Sequence, residues 1–142
     1  TETRVAGAVR DQSFFTELKN AISSNNMQDV HFLGGIEREG IYKELSQASV
    51  VVCPSRLENM PYALLEACAA GIPCVSYDVG GVKEFISNSE NGFVVNNEAD
   101  FIQAINKLLQ DDELRTTMGN KAQESVENLQ PLPVAEKLKP EE

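Results

Sequence analysis

The chain of 142 residues lacks tryptophan, has one histidine and three cysteines, and carries 12 basic side chains against 22 acidic ones. The resulting net charge of −10 argues against a nucleic-acid partner, because proteins that bind nucleic acid place Lys and Arg on phosphates. The same charge disfavours binding to an anionic membrane surface. His31 is the only histidine and no close group of His, Cys and carboxylate side chains occurs, so we expect no metal site.

Long apolar segments are also missing from the chain. No apolar run approaches the roughly 18 residues that are needed to cross a bilayer. The first residues, TETRVAGAVRDQ, contain no apolar core of a signal peptide. Cys53, Cys68 and Cys74 lie in apolar stretches and form no C-x-x-C pair, which favours free, buried thiols in a reducing compartment. We therefore expect a cytoplasmic protein that is not a transmembrane protein.

Short apolar runs alternate with segments of helical spacing along most of the chain. Strands are predicted at 4–9, 29–33, 49–53, 74–77 and 93–95. Helices are predicted at about 12–22, 39–48, 61–70, 80–86, 98–109 and from 111, the first and fifth with Asp11 and Asn97 as N-caps. Pro61 suits the first helical position. The three consecutive valines at 50–52 predict a strand that is covered on both faces.

This alternation predicts an α/β fold with a Rossmann-like parallel sheet and helices on both faces. We expect one domain at 1–129, followed by a Pro-containing tail at 130–142. In the fifth helix, an apolar face is predicted to hold Phe101, Ile102, Ile105, Leu108 and Leu109. Ligands of such sheets bind outside the carboxyl ends of the strands, so the loops at 34–37, 54–60 and 78–82 are candidates for the site.

Two carboxylates stand out near the second of these loops. Glu66 is the only charged residue in the predicted helix, and a carboxylate there is costly unless something satisfies it. A pair of ribose hydroxyls could do so, but so could solvent or a structural partner. Glu58 precedes the helix by three positions, where it either faces a ligand or simply complements the positive end of the helix dipole. The first-turn amides of this helix form a potential anion site.

The run PSRLENMPYALLEACAAGIPCVSYDVGGVKEFI resembles the nucleotide-sugar site of the large retaining GT4 family of GT-B glycosyltransferases, also called group 1. That family has a Glu, seven further residues and a second Glu, then a small-residue helix, Gly-x-Pro and a strand. Glu58 and Glu66 match the two acids. VHFLGGIEREGIYKELSQASVVVCPS, DVGGVKE and NGFVV match neighbouring landmarks, so the resemblance covers roughly residues 5 to 128.

The resemblance implies a role for each matching residue. Glu66 would bind the ribose hydroxyls of a nucleotide diphosphate sugar, and Glu58 would be the catalytic residue that orients the donor sugar. Backbone groups would hold the diphosphate and the sugar at Asn59, Met60, Pro61 and Tyr62. Gly34 and Gly35 would let the backbone approach the base, although without the other motifs a plain strand-ending turn would be the preferred interpretation. Pro61 departs from the usual pattern because it supplies no N–H. We expect no cofactor, and no metal because the chain has no Asp-x-Asp and no cluster of ligating side chains.

The resemblance also implies that an acceptor-binding N-terminal domain and the first strand of the C-terminal domain are missing from this chain. The full-length enzyme would be a retaining glycosyltransferase of the hexosyltransferase type, and the isolated chain would be inactive. The alternative is a non-catalytic nucleotide-binding or interaction domain derived from such an enzyme. A receiver-like signalling domain is disfavoured, because Cys53 and Pro54 occupy the strand end where it needs a phosphorylatable Asp. His31 is interpreted as structural.

Overall fold

A computed structural model of the chain describes residues 1–127 and Leu129. The predicted tail at 130–142 therefore lies outside the described residues. The chain divides into two compact units, of which the first is Thr1–Ile41 and the second begins at Tyr42. None of the helices in the described part of the chain is long and apolar enough to cross a membrane.

The first unit is a β–α–β arrangement. It contains β1 (Thr3–Ala6), α1 (Gln12–Ser24), β2 (Val30–Gly34) and the start of α2 (Arg38–Gln47). The two strands pair in parallel, with Thr3 opposite Val30. β1 ends at Ala6 rather than at the predicted residue 9, because Gly7 turns the chain with a φ of 151°.

Local contacts within the first unit agree with several predictions. Asp11 caps α1, since its Oδ1 accepts a hydrogen bond of 2.9 Å from the N–H of Phe14. Phe15 packs edge-on against Phe32 of β2, with ring centres 5.0 Å apart. The side chain of His31 is 49% exposed and its Nε2 lies 3.9 Å from a carboxylate oxygen of Glu2.

The second unit contains a parallel three-stranded sheet in the order β3-β4-β5. The strands are β3 (Val51–Cys53), β4 (Cys74–Tyr77) and β5 (Phe93–Val95), and the helices are α3 (Tyr62–Ala69), α4 (Glu98–Gln110), α5 (Asp112–Glu127) and a short 3₁₀ helix (Val82–Glu84). All residues of the central strand β4 are buried. The prediction that the valine strand is covered on both faces is wrong for β3, because Val52 is 41% exposed on this strand at one end of the strand order.

Helices cover both faces of this sheet, as predicted. Val75 and Tyr77 of β4 belong to a core cluster with Phe101 and Leu108 of α4. The alternate residue Cys74 contacts α3 instead, where its thiol lies 3.9 Å from the carbonyl oxygen of Leu64. Because successive side chains of a strand point to opposite faces, α3 and α4 lie on opposite sides of the sheet. The α/β fold class with parallel strands and flanking helices is thereby confirmed.

Helix α4 follows its predicted pattern with one exception. Asn97 caps it by accepting a hydrogen bond of 2.9 Å from the N–H of Asp100. Phe101 and Leu108 are buried, but Ile102 is 51% exposed, so its place on the apolar face was wrong. The angular step of 100° per residue explains this, because Ile102 lies just beyond the edge of the stripe that Phe101, Ala104 and Leu108 share.

Helices α3 and α5 pack at a point of unusually close backbone approach. Gly71 ends the α3 turn with a φ of 73°, and a Cβ atom at Gly119 of α5 would lie 2.1 Å from the carbonyl oxygen of Gly71. Gln123 of α5 also donates a hydrogen bond of 3.1 Å to the carbonyl oxygen of Ala69. These contacts hold the C-terminal end of α3, the helix that carries Glu66, against α5.

Candidate functional site

Two loops of the second unit follow neighbouring parallel strands at the same edge of the sheet. β3 ends at Cys53 and β4 ends at Tyr77, and the two strands pair directly. The loop at 54–60 and the loop at 78–81 therefore both leave the carboxyl edge, where ligands of open α/β sheets bind. Glu58, Asn59 and Met60 lie in the first of these loops.

Gly80 brings the two loops into direct contact. Its φ is 47°, and a Cβ atom built on it would lie 2.3 Å from the carbonyl oxygens of both Glu58 and Asn59. No side chain fits in that space, so glycine is required both by the backbone conformation and by the close approach. The Gly81 N–H completes the contact by donating a hydrogen bond of 2.8 Å to the Asn59 carbonyl.

The segment after Gly81 differs from its prediction. It was expected to form a helix through about residue 86, but only a 3₁₀ helix at Val82–Glu84 forms. A Cβ atom at Gly81 would lie 2.7 Å from the terminal carbon of Met60, a contact that the flexible Met60 side chain can relieve by moving. From the sequence, Gly80 and Gly81 were placed in a candidate loop at 78–82, but their partner, the loop that carries Glu58, was not foreseen. No local sequence signal reports that partner.

Helix α3 begins with a tight turn at Pro61. Pro61 is the N-cap with φ −80° and ψ 82°, rather than the first helical residue as predicted. The Tyr62 N–H donates a hydrogen bond of 3.0 Å to the Met60 carbonyl two residues earlier, which is the pattern of an inverse γ-turn. Tyr62 and Pro61 therefore offer no free N–H, whereas the N–H groups of Asn59, Met60 and Ala63 bond to none of the described residues.

Glu66 lies in the middle of α3, and its neighbours Leu65 and Ala67 are buried. Its own side chain is half-buried, as is that of Glu58 in the preceding loop. Neither carboxylate forms a hydrogen bond or ion pair with any residue among 1–127. The structural partner that was one alternative for Glu66 is thus not found there. Both carboxylates therefore keep their hydrogen-bonding capacity available for a ligand.

The other predicted contacts belong to the first unit. Gly34 ends β2 with a φ of 69°, and its carbonyl oxygen accepts a hydrogen bond of 2.8 Å from the Gly7 N–H. Gly35 follows, and a Cβ atom there would lie 3.7 Å from the Cβ atom of Ala8. Both glycines thus take part in the turn at the end of the β1–β2 pair. Their approach to a nucleotide base stays a prediction.

Two cations lie near the carboxyl edge of the second unit's sheet. Lys83 forms an ion pair with Asp78, with Nζ and Oδ2 separated by 2.5 Å. Arg56 instead places its guanidinium over the Tyr77 ring, 4.7 Å from the ring centre. Over the residues that the structure describes, no group of three or more His, Cys, Asp or Glu side chains could hold a metal ion.

The three cysteines are free thiols, as predicted, although Cys53 is only half-buried. Cys68 and Cys74 are fully buried with their sulfur atoms 4.0 Å apart. The hydrogen bond with Cys68, followed by burial, raises the pKa of the Cys74 thiol well above its usual range. Since the thiolate is the reactive form, Cys74 serves packing between α3 and β4 rather than chemistry.

A family model described as glycosyl transferases group 1 matches residues 1–125 of the chain. The chain belongs to this glycosyltransferase family. The match includes the loop at 54–60, α3 and the glycine pair, so the whole carboxyl-edge arrangement of the second unit falls within the family region. The resemblance inferred from the two acids and their neighbouring landmarks is confirmed.

Curated relatives of this glycosyltransferase family are longer than the chain. N-acetyl-alpha-D-glucosaminyl L-malate synthase of Bacillus anthracis is 31% identical over 121 residues, which are 83% of this chain and 31% of that protein. Alpha-D-kanosaminyltransferase of Streptomyces kanamyceticus is 33% identical over 122 residues, which are 84% of this chain and 30% of that protein. The chain therefore spans about a third of the length of these two relatives.

Solved structures agree with the family and locate the chain within it. The C-terminal domain of a group 1 protein from Francisella tularensis, LpcC, is similar with a TM-score of 0.76 and 25% identity over 82% of this chain and 62% of that one. The fold is also that of Anabaena HepE in complex with UDP-glucose, with a TM-score of 0.82, 21% identity, and coverage of 96% of this chain and 39% of that one. The chain corresponds to a C-terminal GT-B domain.

Proposed function

We propose that the chain is the donor-binding part of a retaining glycosyltransferase of the hexosyltransferase type. The full-length enzyme transfers a sugar from a nucleotide diphosphate donor to an acceptor that a second, N-terminal domain binds. The observation that carries this proposal is Glu66, a half-buried carboxylate without a partner among the described residues of an otherwise uncharged helix. Two ribose hydroxyls would satisfy it, as an acidic residue does in other dinucleotide-binding folds.

The residues around Glu66 support a nucleotide diphosphate sugar as the donor. The N–H groups of Asn59, Met60 and Ala63 stand at the start of α3 without a partner in the described chain. Such amides, together with the helix dipole, stabilise a phosphate. Family neighbours support a uridine nucleotide as the probe, since Anabaena HepE was solved with UDP-glucose. We therefore use UDP and UDP-glucose as probes, with GDP and ADP for comparison.

The proposed mechanism needs no covalent nucleophile from the protein. The donor's diphosphate leaves while the acceptor hydroxyl attacks the same face of the sugar, and the leaving oxygen accepts the proton of that hydroxyl. Glu58 orients the donor sugar beside the carbon to which the new bond forms. The protein's contribution is the positioning of the reactants and the stabilisation of the charge that develops on the leaving diphosphate.

The isolated chain is expected to transfer no sugar, because the proposed acceptor-binding domain lies outside it. Purified chain and full-length protein would be incubated with UDP-glucose and candidate acceptors, and released UDP would be measured. The anomeric proton coupling of the product then reports the configuration at the transferred carbon. Robust transfer by the chain alone would refute the proposal that a separate N-terminal domain binds the acceptor. A product with inverted configuration would refute the retaining mechanism.

Donor turnover by the full-length enzyme is expected to be independent of divalent metal. Metal-dependent transfer generally uses clustered carboxylates that hold the ion against the diphosphate. The chain contains no Asp-x-Asp, and its adjacent pair Asp111–Asp112 lies at the start of α5, where Asp111 caps the helix through a hydrogen bond of 2.8 Å from the Leu114 N–H. Activity would be measured with EDTA and again after Mg²⁺ or Mn²⁺ is added. Loss on chelation with full recovery on metal addition would contradict this prediction.

A further inference from the structure

Arg56 lies in the loop after β3, two residues before Glu58, and contacts a ring that is itself firmly held. Its guanidinium carbon lies 4.7 Å from the centre of the Tyr77 ring. Tyr77 ends β4, is only 8% exposed, and stacks on Phe101 of α4 with ring centres 4.7 Å apart and planes 25° apart. The sheet and α4 thus fix the ring, while Arg56 belongs to an exposed loop.

The guanidinium group of Arg56 contacts the ring of Tyr77. Over residues 1–127, the guanidinium forms no hydrogen bond and no ion pair. This separates it from Lys83, which is paired with Asp78, and from Arg115, which donates a hydrogen bond of 2.7 Å to the Leu108 carbonyl at the end of α4. A cation over the face of a tyrosine is attracted to the ring, and the planar guanidinium also stacks well there.

A second attachment of the same loop lies just beyond Glu58. The backbone of Glu58 and Asn59 is packed against Gly80, and the Asn59 carbonyl accepts the hydrogen bond from Gly81. Glu58 therefore lies two residues after Arg56, which contacts Tyr77, and its own backbone contacts Gly80. A loop held on both sides has few conformations, so the direction of the side chain between the anchors is well defined.

We propose that Arg56 is a positioning residue that, by stacking on Tyr77, holds Glu58 in the orientation that the donor sugar requires. This inference rests on the proposed function, because it assigns a purpose to the orientation of Glu58. Arg56 acts on the sugar end of the site and not on the ribose carboxylate Glu66. Its loss should therefore lower kcat for donor turnover while the KM for the donor stays the same.

The first test compares variants of the full-length protein with UDP-glucose as the donor and released UDP as the measure. Arg56→Ala is expected to lower kcat about fivefold or more, since small misplacement of a reacting group costs rate steeply. Arg56→Lys keeps a cation over the ring and should recover most of the rate. Lys19→Ala is the matched control: Lys19 lies at the same 4.7 Å from the ring of Phe15, on α1, and its removal should leave kcat unchanged.

A second measurement does not need turnover. Hydrogen exchange of the Gly81 amide reports the bond to the Asn59 carbonyl, and Arg56→Ala should accelerate it several-fold while Arg56→Lys does not. Tyr77→Leu should produce the same effects as Arg56→Ala, and the double variant should lose no more than either single one. Because Tyr77 is buried, the folding of its variants would be checked by circular dichroism. The test with the Arg56 variants does not depend on whether the Tyr77 variants fold.

The outcomes separate the two proposals. Unchanged kcat and unchanged Gly81 exchange in Arg56→Ala would overturn the positioning role. A higher KM with normal kcat would also overturn it, because Arg56 would then bind the donor itself. If Glu58→Gln leaves donor turnover intact, the proposed function of the site fails. If Glu58→Gln lowers turnover but Arg56→Ala does not, only the inference about Arg56 fails.

Discussion

Replacement of Glu66 by alanine is expected to weaken nucleotide binding by the full-length protein roughly ten- to a hundredfold. The physical reason is the loss of charge-assisted hydrogen bonds to the ribose hydroxyls, which are worth about 1.5 to 3 kcal/mol. The measurement is calorimetric titration with UDP, and with GDP and ADP for comparison. Glu66 forms no hydrogen bond or ion pair with a described residue, so its removal breaks neither kind of bond within residues 1–127.

Glu124→Ala is a suitable control for this titration. Glu124 is an exposed carboxylate in the last turn of α5, and its substitution changes the net charge by the same amount as Glu66→Ala. The control should bind UDP like the wild type. Equal affinities for wild type and Glu66→Ala would remove the ribose assignment, and equal losses in both variants would point to net charge rather than to a specific bond.

Glu58→Gln should lower turnover rather than the affinity for the nucleotide, in contrast to Glu66→Ala. It is expected to lower the turnover of the donor while the affinity for UDP stays close to that of the wild type, because UDP lacks the sugar that Glu58 contacts. The change keeps the size of the side chain, but it removes the charge and replaces one acceptor oxygen by an NH2 donor. A normal kcat, or a loss of UDP affinity equal to that of Glu66→Ala, would contradict the separate roles of the two acids.

Gly80→Ala is expected to destabilise the second unit by about 3 kcal/mol or more and to displace the loop that carries Glu58. A left-handed backbone at a residue with a Cβ atom costs roughly 1–2 kcal/mol, and overpacking typically adds about 1–3 kcal/mol. Both apply here, because φ is 47° and the new atom would lie 2.3 Å from the carbonyl oxygens of Glu58 and Asn59. Chemical denaturation would measure the free energy of unfolding, and donor turnover would report the loop.

Gly119→Ala provides a control with a similar steric defect at another place. A Cβ atom there would lie 2.1 Å from the carbonyl oxygen of Gly71, between α3 and α5. We expect a smaller loss of stability than for Gly80→Ala, about 1–3 kcal/mol from overpacking, because Gly119 lies inside α5 and has no left-handed backbone. Under conditions where both variants are folded, Gly80→Ala should lose much more of kcat. Equal turnover in the two variants would show that the contact at Gly80 does not govern the orientation of Glu58.

Local signals in the sequence predicted the secondary elements well. β4 has the predicted bounds, Cys74–Tyr77, and Asp11 and Asn97 cap their helices as expected. These features depend on the residue types of a few neighbouring positions, such as a side-chain acceptor before an apolar periodic segment. Ile102 was misplaced because apolar character alone does not state which residues lie at the edge of a buried stripe.

Residue types at neighbouring positions did not predict the contacts between segments that are distant in the chain. A strand rich in valine was expected to be buried on both faces, yet Val52 is 41% exposed, since coverage depends on what the fold brings to that edge. One local contact was missed as well, namely the hydrogen bond from the Tyr62 amide to the Met60 carbonyl two residues earlier. The first helical turn was interpreted as a set of free donors, but the turn geometry at Pro61 uses one of them.

The sequence alone determined the class of the fold and the order of its elements, because both follow from periodicity along the chain. Glu58 and Glu66 were singled out as site residues by their resemblance to the family pattern, and their roles stay predictions. Only the tertiary structure decided how the loop of Glu58 is held. Gly80 allows the backbone approach and Arg56 reaches the Tyr77 ring, but each contact joins residues more than 20 positions apart. The physical reason is that such contacts depend on the pairing of β3 with β4, which places both loops at one edge of the sheet.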